Sequence, residues 1–457
     1  MCPDDLPPPP ATAPAARLLP PDDAQRALLH NEIHARPSAR IRLPALIVYV
    51  AVLNEGVSRE DECAHLRRLP GQQDLAPAQL AGNFLRLRLG GHTVKWERHT
   101  EFTRYSIVQP LPPECGLGQD APTLGHALRV DPAWLAAIPG RTVAAIQLAL
   151  VEHELSDAGA TLGLCERWLG GDPVKLASMM GAGGDMQGGH SLVMTDLRLR
   201  DDGFERMLVL MRPGASGARA GRIAQRLMEL ETYRLMALRG LPVAKSLAPT
   251  LGEAEAALQA LTDSLVQGGR AEQALLDTLL GVAAQVERAT AQHAYRFSAT
   301  QAYEALVQQR IAELRERPLQ GYQTLGVFVR RRFSPAAATV AATAQRLASL
   351  SLRIERSSAL LRTQVDIARE AQNQELLAKL TRGQSLQLQL QSTVEGLSIA
   401  AISYYVVSLL LYGGKAAKSA GLPVNPELAA GALIPLVLWS VWKATQRIHR
   451  RLHDDGH

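Results

Sequence analysis

The chain has 457 residues and a mass of 49.4 kDa, room for two or three domains at about 100–200 residues each. With 47% apolar and 20% charged residues it is not wholly disordered, and 4% aromatics suit an Ala/Leu-rich helical protein better than an all-β one. Four scattered cysteines with no CxxC argue against a disulfide scaffold or zinc ribbon, and a net charge of +5 carries no signature of nucleic-acid binding.

Residues 1–20 are rich in Pro and Ala and predict a disordered tail. They hold no basic region followed by an apolar run, so no signal peptide is expected and the N-terminus is expected in the cytoplasm. Residues 22–215 read as a cytoplasmic α/β domain. A short helix opens at Pro21-Asp22-Asp23 and stops before Pro37. Leu46–Leu53 is continuously apolar and β-branched, as in a strand buried on both faces. In Phe84–Leu89 the leucines alternate with Arg86 and Arg88, and Gly90-Gly91 turns the chain into a second strand, His92–His99. Thr103–Gln109 and Thr142–Val151 are further strands. Leu192–Leu199 and Phe204–Met211 form a hairpin about Asp201-Asp202-Gly203. Helices are expected near Glu60–Arg68, Ala76–Ala81 and Cys165–Met180, packed on the sheet.

Pro213–Gly217 reads as a linker, after which strand signals nearly vanish. Residues 219–333 predict a helical domain: Ala220–Arg239, stopped by Gly240-Leu241-Pro242, then 250–267 and 270–315. Ser334-Pro335 predicts an N-cap and first position for a stalk helix over 334–395. Val340, Leu347, Ile354, Leu361 and Ala368 stand seven apart, a coiled-coil-like seam. Continued to Tyr412, that helix measures roughly 117 Å at 1.5 Å per residue.

Gly396–Gly414 carries no charge and is long enough for a first transmembrane helix. Leu428–Trp442 is a second uncharged run, with Pro435 inside and Trp439 and Trp442 at an interface position. A basic tail, 443–457, follows it. The basic residues flanking the two spans place both termini in the cytoplasm and a short loop outside, in a multi-pass protein of the inner membrane.

Candidate chemistry is sparse. His30 and His34 share a helical face, but Glu32 lies about 200° round from His30, on the wrong side to serve a metal held by the two histidines. Asn31, Glu32, His34 and Arg36 are therefore read as a polar structural network or ligand motif, with no metal. Glu152-His153-Glu154 ends a buried strand, a common place for sites. Gly181–Gly189 is Gly-rich but lacks the Lys-Ser/Thr of a P-loop. Arg222, Arg226, Glu229 and Tyr233 fall on one helical face, read as i,i+4 salt bridging that docks the helix, with anion binding as the alternative. In the first span, Ser398, Tyr405, Ser408 and Tyr412 share a face that Lys415 follows. That face reads either as helix packing or as the lining of a pore in a symmetric oligomer.

Several stretches resemble a bacterial family of uncharacterised membrane-anchored proteins, a domain of unknown function. They are Asn31-Glu32-Ile33-His34-Ala35-Arg36-Pro37, Ala220-Gly221-Arg222, Glu229-Leu230-Glu231-Thr232-Tyr233-Arg234, Leu241-Pro242-Val243-Ala244, Glu370-Ala371-Gln372-Asn373, Leu386–Gln391 and Thr393-Val394-Glu395-Gly396-Leu397-Ser398. That resemblance implies no activity. The architecture also resembles CorA-type divalent-cation channels, which carry Gly-Met-Asn after a tyrosine at the outer end of the first span. Here Tyr412 precedes Gly413-Gly414-Lys415, so the resemblance does not carry Mg²⁺ selectivity with it. The expectation is a membrane-anchored interaction, sensing or scaffold protein, not an enzyme and with no cofactor. Its partners are the lipid bilayer and further copies of itself, joined through the stalk and first span, and not nucleic acid. The alternative is a CorA-like oligomeric channel or transporter for an inorganic ion.

Overall fold

A computed structural model describes residues 20, 22–26, 29–30, 40–155, 158–171, 175–181, 189–267, 272–420 and 425–454. In chain order the elements are β1 (Ala45–Leu53), α1 (Arg59–Arg67), β2 (Phe84–Leu89), β3 (His92–Arg98), β4 (Phe102–Pro110), α2 (Leu124–Ala127), α3 (Pro132–Ala136), β5 (Arg141–Glu152) and α4 (Ala158–Glu166). There follow β6 (Leu176–Gly181), β7 (Gly189–Thr195), β8 (Glu205–Met211), α5 (Gly217–Leu238), α6 (Gly240–Gln267), α7 (Glu272–Leu314), β9 (Glu316–Pro318), α8 (Leu325–Ser419) and α9 (Pro426–Asp454). The chain divides into two compact units, Met1–Gly269 with Asp277–Ile354, and Arg270–Leu276 with Glu355–His457.

In the first unit one sheet runs β2-β3-β4-β1-β5-β8-β7-β6-β9. Only β5 and β8 pair in parallel; the other pairs are antiparallel. The central strand β1 is buried along its whole length, because layers cover both faces. Ile47, Tyr49 and Ala51 face a core completed by α5, the end of α7 and the start of α8. Leu46, Val48 and Val50 face a second core built with α1, Trp134 of α3 and Leu162 of α4. Capping sets the helix starts: Ser58 and Asp61 bond reciprocally at α1, and Ser216 Oγ accepts the Arg219 amide at α5.

The structure corrects four expectations. The helix expected at Cys165–Met180 ends at Glu166, and Leu176–Gly181 is a buried strand between β7 and β9; Gly170 and Gly171, both at positive φ, break the helix between them. Gly240-Leu241-Pro242 does not open a loop. It begins α6, since proline is tolerated in a first helical turn, so α6 starts ten residues before the expected 250. The stalk helix starts at Leu325 and runs through Pro335. Thr324 caps it, its Oγ1 accepting the Val327 amide at 3.2 Å, and Leu325, Val329, Phe333 and Ala337 are buried in the core, packing that outweighs the proline. Residues 22–215 and most of 219–333, read as two domains from composition, share the first unit, where α5 lies on the sheet and β9 extends it.

Of the seven-residue seam, Val340, Leu347 and Leu361 are buried, Ile354 is half-buried and Ala368 is exposed. Leu350 is buried too, as is the Leu247, Leu251, Leu258, Leu261 stripe of α6. Arg346 of α8 forks onto Glu255 of α6 through bonds of 3.0 and 2.8 Å.

In the second unit α8 is exposed at every residue from Asp366 to Val394. Gly383 and Gly396 do not interrupt it. Gly414 lies against Pro426 at the start of α9, and Ser403, Ala430 and Val437 are buried. Two helices, Leu325–Ser419 and Pro426–Arg447, contain stretches long and apolar enough to cross a membrane.

Candidate functional site

Asn31, Glu32, His34 and Arg36 lie outside the described residues, as do residues 182–188 of the Gly-rich segment. Glu152 and Glu154 are exposed at the end of β5, where Glu152 Oε1 accepts the Gly214 amide at 3.1 Å. Among the described residues no three His, Cys, Asp or Glu side chains come together as a metal site. Burial pushes the Cys165 thiol up to about 12, and its Sγ lies 3.0 Å from the Thr161 carbonyl.

Within the chain the hydroxyl face of the uncharged stretch 396–414 is exposed at Ser398, Tyr405 and Tyr412 and half-buried at Ser408. Tyr405 and Tyr412 are each 68% exposed, while Ser403, about 200° round the helix from Tyr405, is buried. Ser398 Oγ donates to the Val394 carbonyl at 2.8 Å, so its hydroxyl is satisfied within its own helix. Lys415 Nζ stands 5.9 Å from the Tyr412 ring centre.

The face of α5 chosen from spacing does dock the helix, but through partners on other elements. Arg104 of β4 is the centre of the arrangement. It bonds Glu97 of β3, and its Nη1 donates to Glu229 Oε1 at 3.1 Å. The three side chains are 4%, 1% and 5% exposed, so the charges are paired away from water. Lys95 Nζ lies 3.0 Å from Glu97 Oε1. Arg310 of α7 donates to Glu229 Oε2 at 2.6 Å and to Glu313 at 2.9 Å, and Arg226 donates to Glu313 at 3.1 Å. Burial alone would raise the Glu97 carboxyl; Arg104 and Lys95 outweigh it and hold it down at about 2. Beside the network Tyr49 and Thr232 share a 2.7 Å bond. Thr232 donates its own proton to the Met228 carbonyl, so Tyr49 is the donor. A sheet thus grips two helices through charges that a strand normally shows to solvent.

Next to this network is a cavity of about 470 Å³, where the β3–β4 turn meets α5 and α7. Tyr233 and Tyr303 stack across it, their ring centres 5.9 Å apart. Burial raises both hydroxyls, Tyr303 to about 12, so both remain neutral donors. The guanidinium groups at its edge have partners: Arg59 donates to Asn83 Oδ1 at 2.8 Å, and Arg98 meets Glu62 at 2.8 Å and the Val57 carbonyl at 2.9 Å. The cavity is polar and aromatic, and of Arg59 and Arg98 at its edge Arg98 alone meets a carboxylate among the described residues. Spacing on α5 found Glu229 and Tyr233 but not Arg104, Glu97, Arg310 or Tyr303. The overlooked signal was charge inside the strand runs Lys95-Trp96-Glu97 and Thr103-Arg104-Tyr105.

Comparison with known proteins found no matching curated protein and no matching solved structure. One family model, described as a protein of unknown function (DUF3422), matches residues 21–452. That match takes in the sheet, the ion network, α5 to α8 and nearly all of α9, so the chain belongs to the DUF3422 family of proteins of unknown function.

Proposed function

We propose that this protein is a membrane-anchored scaffold or sensor, held in the inner membrane by α8 and α9 and working as a homo-oligomer. One observation carries the reading. The apolar stretches of these two helices are exposed rather than buried in a core: Leu397, Leu409, Leu428, Leu436, Tyr404 and Trp439 all stand on the surface. In water that surface would be an aggregation hazard; in a bilayer it is the ordinary lipid-facing side of a span. Lys443 over Trp439, at 4.4 Å, suits an interface position for that end of α9. Both termini lie in the cytoplasm in this reading. Copies associate along the exposed length of α8, where Ile367, Leu376, Leu380 and Leu390 stand on the surface.

Cysteine labelling of whole cells tests the topology: a probe at Ala420→Cys should react and one at Gly456→Cys should not. Mass measurement in lipid discs tests assembly, and a monomer there contradicts the oligomer. A CorA-like pore is the second reading, favoured by the outward-facing Tyr405 and Tyr412, which copies would turn toward a shared axis. Cation flux into liposomes that rises with Lys415→Asn and falls with Tyr405→Leu would support it; no flux for any ion leaves the scaffold.

A further inference from the structure

The region around the β2–β3 turn carries more positive charge than the fold neutralises. An open concavity of about 1160 Å³ lies between that turn, the lead into β1 and the first turn of α5. Its floor is a row across three strands, Arg88–Thr93–Val108, set by register. Arg40 and Arg42 stand at its edge. They are held there because the Ile41 amide donates to the Gly217 carbonyl at 3.0 Å. A Cβ at Gly217 would lie 2.6 Å from the Ile41 oxygen, so only glycine lets the two backbones approach this closely.

Arg129 is outside that lining but stands beside it, against Gly91 of the β2–β3 turn. The buried Gln109 fixes its loop, donating to the Ala127 carbonyl at 2.6 Å and accepting the Arg129 amide at 2.9 Å. The guanidinium then lies across Gly91, at φ +92°, in space that a Cβ there would fill. None of Arg40, Arg42, Arg88 or Arg129 pairs with a carboxylate among the described residues. Among the described residues the one acid lining the concavity, Glu152, accepts the Gly214 amide. Burial and then Arg129 depress the pKa of His92, which sits between these groups.

We propose that this concavity is an anion site for a phosphate-bearing ligand. A guanidinium offers two parallel donors that match a phosphate, and several of them without carboxylate partners leave a field that such a ligand neutralises. Gly217, at the positive end of the 22-residue α5, also lines the concavity. The Tyr233 cavity holds fewer such groups: Arg98 there pairs with Glu62, and Arg59 bonds the neutral Asn83 side chain. The size of the concavity admits several phosphate groups, whether of a soluble polyphosphorylated compound or of a lipid headgroup.

Calorimetric titration of the full chain in detergent with sodium tripolyphosphate, at about 0.15 M ionic strength, tests the site. Arg88→Gln and Arg129→Gln should each weaken binding about tenfold, the order expected of a charged hydrogen bond. Gly91→Ala changes no charge but displaces Arg129, and should weaken binding as well. Arg167→Gln, whose arginine pairs with Asp120 elsewhere, should leave it unchanged. The substituted arginines are exposed, and unchanged thermal unfolding would show that the fold is kept. Glycerol 1-phosphate, a one-phosphate headgroup mimic, separates the sources: equal affinity assigns the site to a headgroup, and tighter tripolyphosphate binding to a soluble ligand. Absence of tripolyphosphate binding to the unaltered chain, or an equal loss with Arg167→Gln, overturns the proposal.

Discussion

Arg104→Met removes the one cation that Glu97 and Glu229 share. Both carboxylates are at least nine-tenths buried, so neither can turn to water when the guanidinium is lost. Lys95 and Arg310 remain, but of these two carboxylates Lys95 reaches Glu97 alone and Arg310 reaches Glu229 alone. Breaking a buried pair by removing one partner costs about 3–5 kcal/mol, against under about 1 kcal/mol for a surface pair. At roughly 2–4 °C per kcal/mol for a mid-sized domain, the melting temperature should fall by about 10 °C. The loss should depend on pH. In the intact protein the Glu97 carboxyl titrates at about 2, below its ordinary value, so its stabilisation is full above that ordinary value and fades as pH falls toward 2. The gap between variant and parent should therefore narrow in acid. Glu229→Gln, added to Arg104→Met, should recover part of the loss, because Lys95 still pairs with Glu97 and Arg310 with Glu313, so no buried carboxylate of the network is left without a cation. The assay is thermal unfolding of the full chain in detergent, followed by circular dichroism. A fall no larger than that of Arg167→Gln, or a gap that widens in acid, would refute the reasoning.

Three further outcomes follow from local geometry. Burial, and Glu231 beside it, raise the Glu205 carboxyl, so the folded state holds that proton after the unfolded chain has released it. Stability should then fall as pH rises above the ordinary carboxylate range, and Glu205→Gln should flatten that fall; a melting curve with the same pH slope in both proteins would contradict it. A Cβ at Gly240 would collide with Thr300 Oγ1 and lie 3.2 Å from Val340 Cγ1, so Gly240→Ala should cost about 1–3 kcal/mol by thermal melting. Gly252→Ala, in the same helix with open space around it, should gain up to about 1 kcal/mol in the same measurement.

Hydrophobic period was legible wherever one face met a core. β1, β5 and the β2–β3 hairpin stand where alternation and turn residues put them, because strands buried by layers leave a strong pattern, whereas β7 runs from Gly189 to Thr195 and stops four residues short of the expected Leu199. The errors came from residues with two meanings. Gly240 and Pro242 serve a helix start as well as a stop, and Leu176–Met180 is apolar enough for either element. A repeat on one helix does not say whose side chains cover it; along the first part of the α8 repeat, Arg346 pairs with Glu255 of α6 in the same chain. The ion network was half visible. Spacing exposed the α5 side, whereas its strand and α7 partners come together only through sheet register and long-range packing. The segment Asn31–Arg36 lies outside the described residues.

Alkaline carbonate extraction of membranes from cells making the full chain tests membrane anchoring most directly. Peripheral proteins are stripped by this treatment, while a chain crossing the bilayer twice stays in the pellet. The account predicts that the full chain remains in the pellet and that a chain ending before Gly396 moves to the supernatant. Recovery of the full chain in the supernatant would contradict it.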